Sequence, residues 1–219
     1  MGTQFKIKET QFFLNKLKDN KRKLLIATYY FSAFLTSSSS ILYHLLATYN
    51  EKYELNLKNI NANMFLKRAQ KKKNTKALKF IKWYNSKIEN LENDKTCGKL
   101  RRLRHQNVHH SLELPSHHVM MYVHRAAPIG FMVFQPAIGR TLKEKEVGQA
   151  IKKYTEELMT KVNQQLIEKG EKPIKKIKKT IILNLSDIEY FELDAGCRKY
   201  FREIKKIVSE AETKFPLFS

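Results

Sequence analysis

Residues 100–110 read Leu-Arg-Arg-Leu-Arg-His-Gln-Asn-Val-His-His, so three arginines and three histidines fall within ten positions of a chain that has 7 histidines in all. Arginine offers a planar, permanently charged fork that fits a phosphate. Histidine titrates near neutrality and can pass a proton. Together they suit phosphodiester cleavage, which needs a proton acceptor, a proton donor and stabilisation of a charged pentacoordinate phosphorus. No pair of carboxylates accompanies them, so a two-metal nuclease is not expected and no cofactor is called for. A plainer reading makes Arg101, Arg102 and Arg104 a solvated basic face and His109 a buried, hydrogen-bonded imidazole. Another reading groups His109, His110, His117 and His118 with His105, His124 and Glu113 as a transition-metal site. The spacing HH-x6-HH, with no cysteine nearby, is not that of a structural zinc site.

The elements that must position this cluster follow from periodicity and caps. Thr10 is a candidate cap for a short helix to about Lys18 that uses Phe12, Phe13 and Leu17 as apolar positions. A long helix is expected from about Lys21 to Tyr53. Its apolar residues surround the axis, which suits a central element. Leu24–Asn50 holds no charged residue and is long enough to span a bilayer. Its threonines, tyrosines, His44 and the serines at 37–40 fit a buried helix better. The serines follow Leu35 and precede Ile41, so they read as small side chains inside a helix. Residues 54–74, rich in Asn and Lys, read as an exposed loop containing a short helix. A further helix runs from Lys76 to about Glu92, with Leu78, Ile81, Trp83, Tyr84, Ile88 and Leu91 for burial. Asp94 caps the next, about Lys95–His110, anchored by Leu100 and Leu103 and ended by Pro115.

Beyond this the pattern changes. Val119–His124 and Phe131–Gln135 are β-like runs around a Pro128–Gly130 turn, and Thr180–Leu185 is a third strand candidate. Lys143–Lys169 forms a helix with Val147, Ile151, Tyr154, Leu158 and Val162 on one face, stopped by Gly170. Asp194 caps a last helix whose Cys197, Tyr200, Phe201, Ile204, Ile207, Val208 and Ala211 form an apolar stripe. The fold is therefore expected to be mainly α. Residues 1–115 make a helical bundle. Residues 116–219 make a β/α segment whose C-terminal helix packs back on the bundle.

Lysine plus arginine number 42 against 21 acids, a formal net charge of +21. That excess speaks of partners rather than fold, and polyphosphate is the default partner because each neutralised phosphate releases counterions. A generally basic proteome is the alternative. The runs Lys71–Lys73 and Lys175–Lys179 are solvated surface or extensions of an RNA-contacting face. Tyr29, Tyr30 and Phe31 either stack on bases or sit in the core. Two distant cysteines, Cys97 and Cys197, exclude a disulfide scaffold. Charges near the start of the chain argue against a secretory leader, so a cytoplasmic protein that does not enter membranes is expected.

Arg104-His105-Gln106-Asn107-Val108-His109 resembles the R-x4-6-H motif of HEPN domains, helical bundles that cut RNA or bind nucleotides. Residues 31–38, Phe-Ser-Ala-Phe-Leu-Thr-Ser-Ser, are similar to the second-helix segment of a prokaryotic HEPN group. Trp83-Tyr84 and Asp94 resemble the approach to its motif helix, and 197–215 its C-terminal helix. The likeness covers 5–112 and about 195–215; 119–185 has no counterpart. It implies a HEPN-like bundle, to which the residue pattern adds a small β-containing segment in the C-terminal half. It also implies a homodimer joined through the motif helix, with a metal-independent endoribonuclease site shared by both subunits. In that site Arg104 would hold the scissile phosphate. His109 would move the proton, and His105 would orient the phosphate or Arg104. Arg101, Arg102, Asn107 and His110 would contact RNA. Arg104 and His109 are five apart, about 140° around one helix, so crossing helices aim both better than a single straight one. His105 and His109, four apart, share a face. A non-catalytic RNA- or nucleotide-binding module is the alternative, and a structural or interaction protein whose basicity is background is a third reading. The family's setting adds a defence or stress response and an antitoxin or regulatory partner. Some family members carry a modifiable tyrosine two residues after the motif histidine; here that residue is Ser111.

Overall fold

A computed structural model describes residues 2–21, 23–109, 116–122, 128–134, 144–175, 178–184 and 192–217. They form seven helices and three strands: α1 (Thr3–Asp19), α2 (Leu24–Lys52), α3 (Ala62–Lys71), α4 (Thr75–Asn93), α5 (Lys95–His109), β1 (Ser116–Tyr122), β2 (Pro128–Phe134), α6 (Glu144–Glu168), β3 (Lys178–Asn184) and α7 (Leu193–Lys214). The fold is mainly α. The chain divides into two compact units. One holds residues 1–16, 30–112 and 194–219, and the other residues 17–29 and 113–193. One cut falls between residues 112 and 113, others run through α1 and α2, and α7 belongs with the helical bundle.

In the first unit the core is built from α2, α3, α4, α5 and α7. Phe31, Phe34, Leu35, Ile41, Phe65, Phe80, Ile81, Leu100, Tyr200 and Ile204 are almost fully buried. Phe80 is the hub of an aromatic cluster. Its ring stacks on Tyr49 at 4.0 Å and meets Phe215 edge-on at 5.4 Å. Such pairs add about 0.5–1.5 kcal/mol each beyond the area they bury. The Tyr49 hydroxyl lies 2.8 Å from the Ala211 carbonyl and 2.9 Å from that of Phe215, which fixes the end of α7 against α2. The serines of α2 lie inside the helix. Ser37 and Ser38 are buried, and both hydroxyls donate to the Phe34 carbonyl, so neither buried oxygen is left unsatisfied.

In the second unit β1 lies between β2 and β3 in an antiparallel sheet. In register, Val119 pairs with Met132 on β2 and with Ile181 on β3. The helix α6 packs against β2. It ends at Gly170, whose φ of 72° is the left-handed conformation that glycine adopts without steric cost. Asn163 clamps the following chain: its amide donates to the Ile174 carbonyl at 3.2 Å and accepts from the Ile174 N–H at 2.7 Å.

Several expectations are corrected. Thr10 is not a cap, because α1 begins at Thr3 and the Thr10 hydroxyl donates to the Lys6 carbonyl one turn back, as threonine does inside a helix. Phe12 faces outward at 51% exposure, while the spacing Thr3, Thr10, Leu14, Leu17 makes the buried stripe. The long helix α2 is not buried all round, since Ile26, Tyr29 and Tyr43 are exposed. Of the aromatic run, Phe31 is core, Tyr30 half-buried and Tyr29 open. Residues 54–74 are not simply exposed, because Leu55, Leu57, Phe65 and Ala69 are buried. Pro128–Gly130 opens β2 instead of forming a turn; proline is tolerated at the first position of a strand, here beside a bulge at Met121/Tyr122. Asp194 does not cap α7. Leu193 is already helical, and the Asp194 Oδ2 is 2.5 Å from the Arg198 guanidinium. Pro115 lies outside the described residues, as do the strand ends expected at His124, Gln135 and Leu185. Among the described residues no helix is long and apolar enough to cross a membrane.

Candidate functional site

The helix carrying the Arg/His cluster is held at its start by Asp94. One carboxylate oxygen accepts from the N–H groups of Thr96 (3.0 Å) and Cys97 (2.9 Å), satisfying donors that every helix N-terminus leaves open. The other oxygen is 2.5 Å from the Lys199 ammonium of α7. These contacts, the hydrogen bond from Lys199 foremost, pull the Asp94 carboxyl down to about 2, so it stays ionised. Leu100 and Leu103 are buried and anchor the middle of α5. Gly98 lets it sit close against α4, because a Cβ there would overlap the Glu92 carbonyl oxygen.

With α5 so fixed, Arg101, Arg102 and Arg104 line one cavity of about 860 Å³. Its other walls come from α2 (Leu42, Tyr43, Leu46), the start of α3, α4 (Tyr84, Ile88, Glu92) and Tyr200 of α7. Each arginine has a different state. The Arg101 Nε and Nη2 both lie on one Glu92 oxygen, at 3.0 and 2.8 Å. Arg102 is exposed. The Arg104 Nε is buried and has no hydrogen-bond partner among the described residues, a costly arrangement for a charged donor unless something else meets it. Among the described lining residues Glu92 is the one acid, so they carry two more positive than negative charges.

The two buried phenols are kept neutral. Burial pushes Tyr200 up to about 12 against the opposing pull of Arg101, and burial also raises Tyr84. They can donate hydrogen bonds to an anion but do not serve as bases at neutral pH. The arrangement suits an anionic group held by Arg102 and Arg104, with apolar walls beside it.

The sequence-picked arginines are thus brought together. His105, Asn107 and His109 lie on the last turns of α5; their side chains, and the whole of His110, lie outside the described residues. The same holds for the side chains of His117 and His118 on β1, and for Glu113 and His124 altogether. Among the described residues no group of three or more His, Cys, Asp or Glu is placed to hold a metal ion. Sequence reasoning missed Glu92, Gly98, Tyr43 and Tyr200 as parts of the site. A signal existed for Glu92, an acid just before the Asp94 cap and so at the foot of the arginine helix. None existed for Tyr43 or Tyr200, which read only as helix residues.

Compared with known proteins, the chain matches no family model, no curated protein and no solved structure.

Proposed function

We propose that this protein binds RNA and cleaves it without a metal, at a site on α5 completed by a second copy of the chain. The observation that carries the reading is the convergence of Arg101, Arg102 and Arg104 on one cavity, with the Arg104 Nε buried and unpartnered. An RNA phosphate supplies the missing acceptor. In the proposed reaction an RNA 2′-hydroxyl gives up its proton and attacks the adjacent phosphorus. The bond to the 5′-oxygen breaks, and that oxygen takes up a proton. The products are a 2′,3′-cyclic phosphate and a 5′-hydroxyl. His109 moves the proton, Arg104 stabilises the charge on phosphorus, and His105 orients the phosphate. The resemblance of residues 104–109 to the HEPN motif supports the same roles, the homodimer through the motif helix, and a setting in defence or stress response with a regulatory partner. A second reading, a non-catalytic module that binds RNA or a nucleotide, is favoured by one observation: the cavity lies within a single chain, with Arg101 already neutralised by Glu92.

The test is cleavage of end-labelled RNA in EDTA by the wild type, Arg104→Ala and His109→Ala at matched folding. Cyclic-phosphate ends from the wild type, with losses of at least a hundredfold in both variants, support the nuclease. No cleavage by any of the three, with RNA still bound, leaves the binding module. Unimpaired cleavage by either variant overturns the assigned roles.

A further inference from the structure

The tip of the hairpin of α3 and α4, residues 67–82, lines no part of the arginine cavity as described. Residues 67–82 hold eight basic side chains (Lys67, Arg68, Lys71, Lys72, Lys73, Lys76, Lys79 and Lys82) and no acid. All but half-buried Arg68 are exposed, and among the described residues none is paired with a carboxylate. Two of them break local rules. Lys73 sits at φ 51°, the left-handed region that side-chain-bearing residues rarely adopt. Lys76 lies in the first turn of α4, where the helix dipole disfavours a cation and where the structure has no acid. Strain and repulsion gathered at one exposed place point to a function retained at the expense of stability.

We infer that the tip of this hairpin is a docking surface for the phosphate backbone of a nucleic acid, read without regard to base sequence. Charge favours a polyanion. The surface favours a nucleic acid over a bilayer, since no large apolar side chain is exposed between residues 67 and 82 and nothing there would insert among lipids. Placement fits as well. Ala62 at the start of α3 lines the arginine cavity, and Lys71 at its end lies about 13 Å further along the axis. A strand gripped at the tip is therefore within reach of the cavity. The inference rests on RNA being the partner, as proposed above.

The experiment compares three proteins in binding labelled single-stranded RNA across a salt series, with cleavage scored separately. They are the wild type, the hairpin variant (Lys71, Lys73, Lys76 and Lys79 all to Gln) and a control that removes the same charge from exposed α6-region lysines (Lys153, Lys161, Lys169 and Lys172 to Gln). The hairpin variant is expected to bind at least tenfold more weakly at 0.1 M salt. The slope of log K against log salt should fall by about 3, from some 0.7 per released single-strand phosphate contact. Its melting temperature should be unchanged or higher, so the loss is not one of folding. The control should keep the wild-type slope. Equal losses in both variants would show a response to net charge alone and overturn the inference, as would an unchanged slope in the hairpin variant. So would wild-type binding to phosphatidylserine vesicles but not to RNA. The nuclease reading fails separately: patch-dependent binding without cleavage leaves the hairpin standing, and cleavage with a patch-independent slope does the reverse.

Discussion

Asp94 performs two tasks with one carboxylate, capping α5 and holding α7 through Lys199. Its folded-state value near 2 lies below the ordinary aspartate value of about 4. A carboxyl depressed in this way contributes stability at and above the ordinary value and loses it as pH falls through the folded one. Asp94→Ala should therefore cost about 1–2 kcal/mol at neutral pH, measured by urea unfolding. Asp94→Asn should keep part of the cap but lose the extra pH dependence between about pH 4 and 2. Gly98 is the other position where one atom decides packing. Gly98→Ala sets a methyl against the Glu92 backbone, so α5 must move away from α4. About 1–3 kcal/mol of stability should be lost, and with it the alignment of the arginines. Wild-type stability in that variant would mean that α5 is not held where the structure has it.

At the scale of elements, α2 and α7 are joined through buried phenols. Tyr49 is pushed up to about 12 by burial, and so is Tyr200. A phenol raised in the folded state contributes its stability below the unfolded value near 10 and loses it as pH rises through the folded value. The bundle should weaken progressively from about pH 10 to 12, and Tyr49→Phe should blunt that loss while costing about 1 kcal/mol at pH 7. A pH-independent melting temperature across that window would contradict it. The α3–α4 hairpin makes an opposite prediction. Lys73→Asn places a residue suited to the left-handed turn and should stabilise by about 0.5–1 kcal/mol in thermal melts, because the strain at φ 51° is relieved.

For the whole molecule the governing quantity is the net charge of +21. Self-repulsion opposes compaction, and salt screens it over a distance of about 10 Å at 0.1 M. Raising salt from 0.05 to 0.5 M should raise the melting temperature while weakening RNA binding. The two trends have opposite signs because the same cations repel one another in the folded chain and attract phosphate. Coincident trends would sink the electrostatic account of binding.

The helical elements and the chemistry that one of them carries can be read from residue order alone. The cap Asp94, the anchors Leu100 and Leu103, the arginines at 101, 102 and 104, and the stripe from Cys197 to Ala211 were all legible. Each rests on local backbone geometry or on a repeat of 3.6 residues. The inward and outward faces of α1 and α2 were not legible, because threonine and serine can satisfy themselves on their own helix carbonyls and so be buried, while Phe12 and Tyr43 stay open. Nor was it legible that Glu92 would take up Arg101 and leave the Arg104 Nε without a partner among the described residues, or that Tyr43 and Tyr200 would close one cavity with them. Those pairings join residues far apart in the chain, and only the packing of four helices around α5 decides which side chain reaches which.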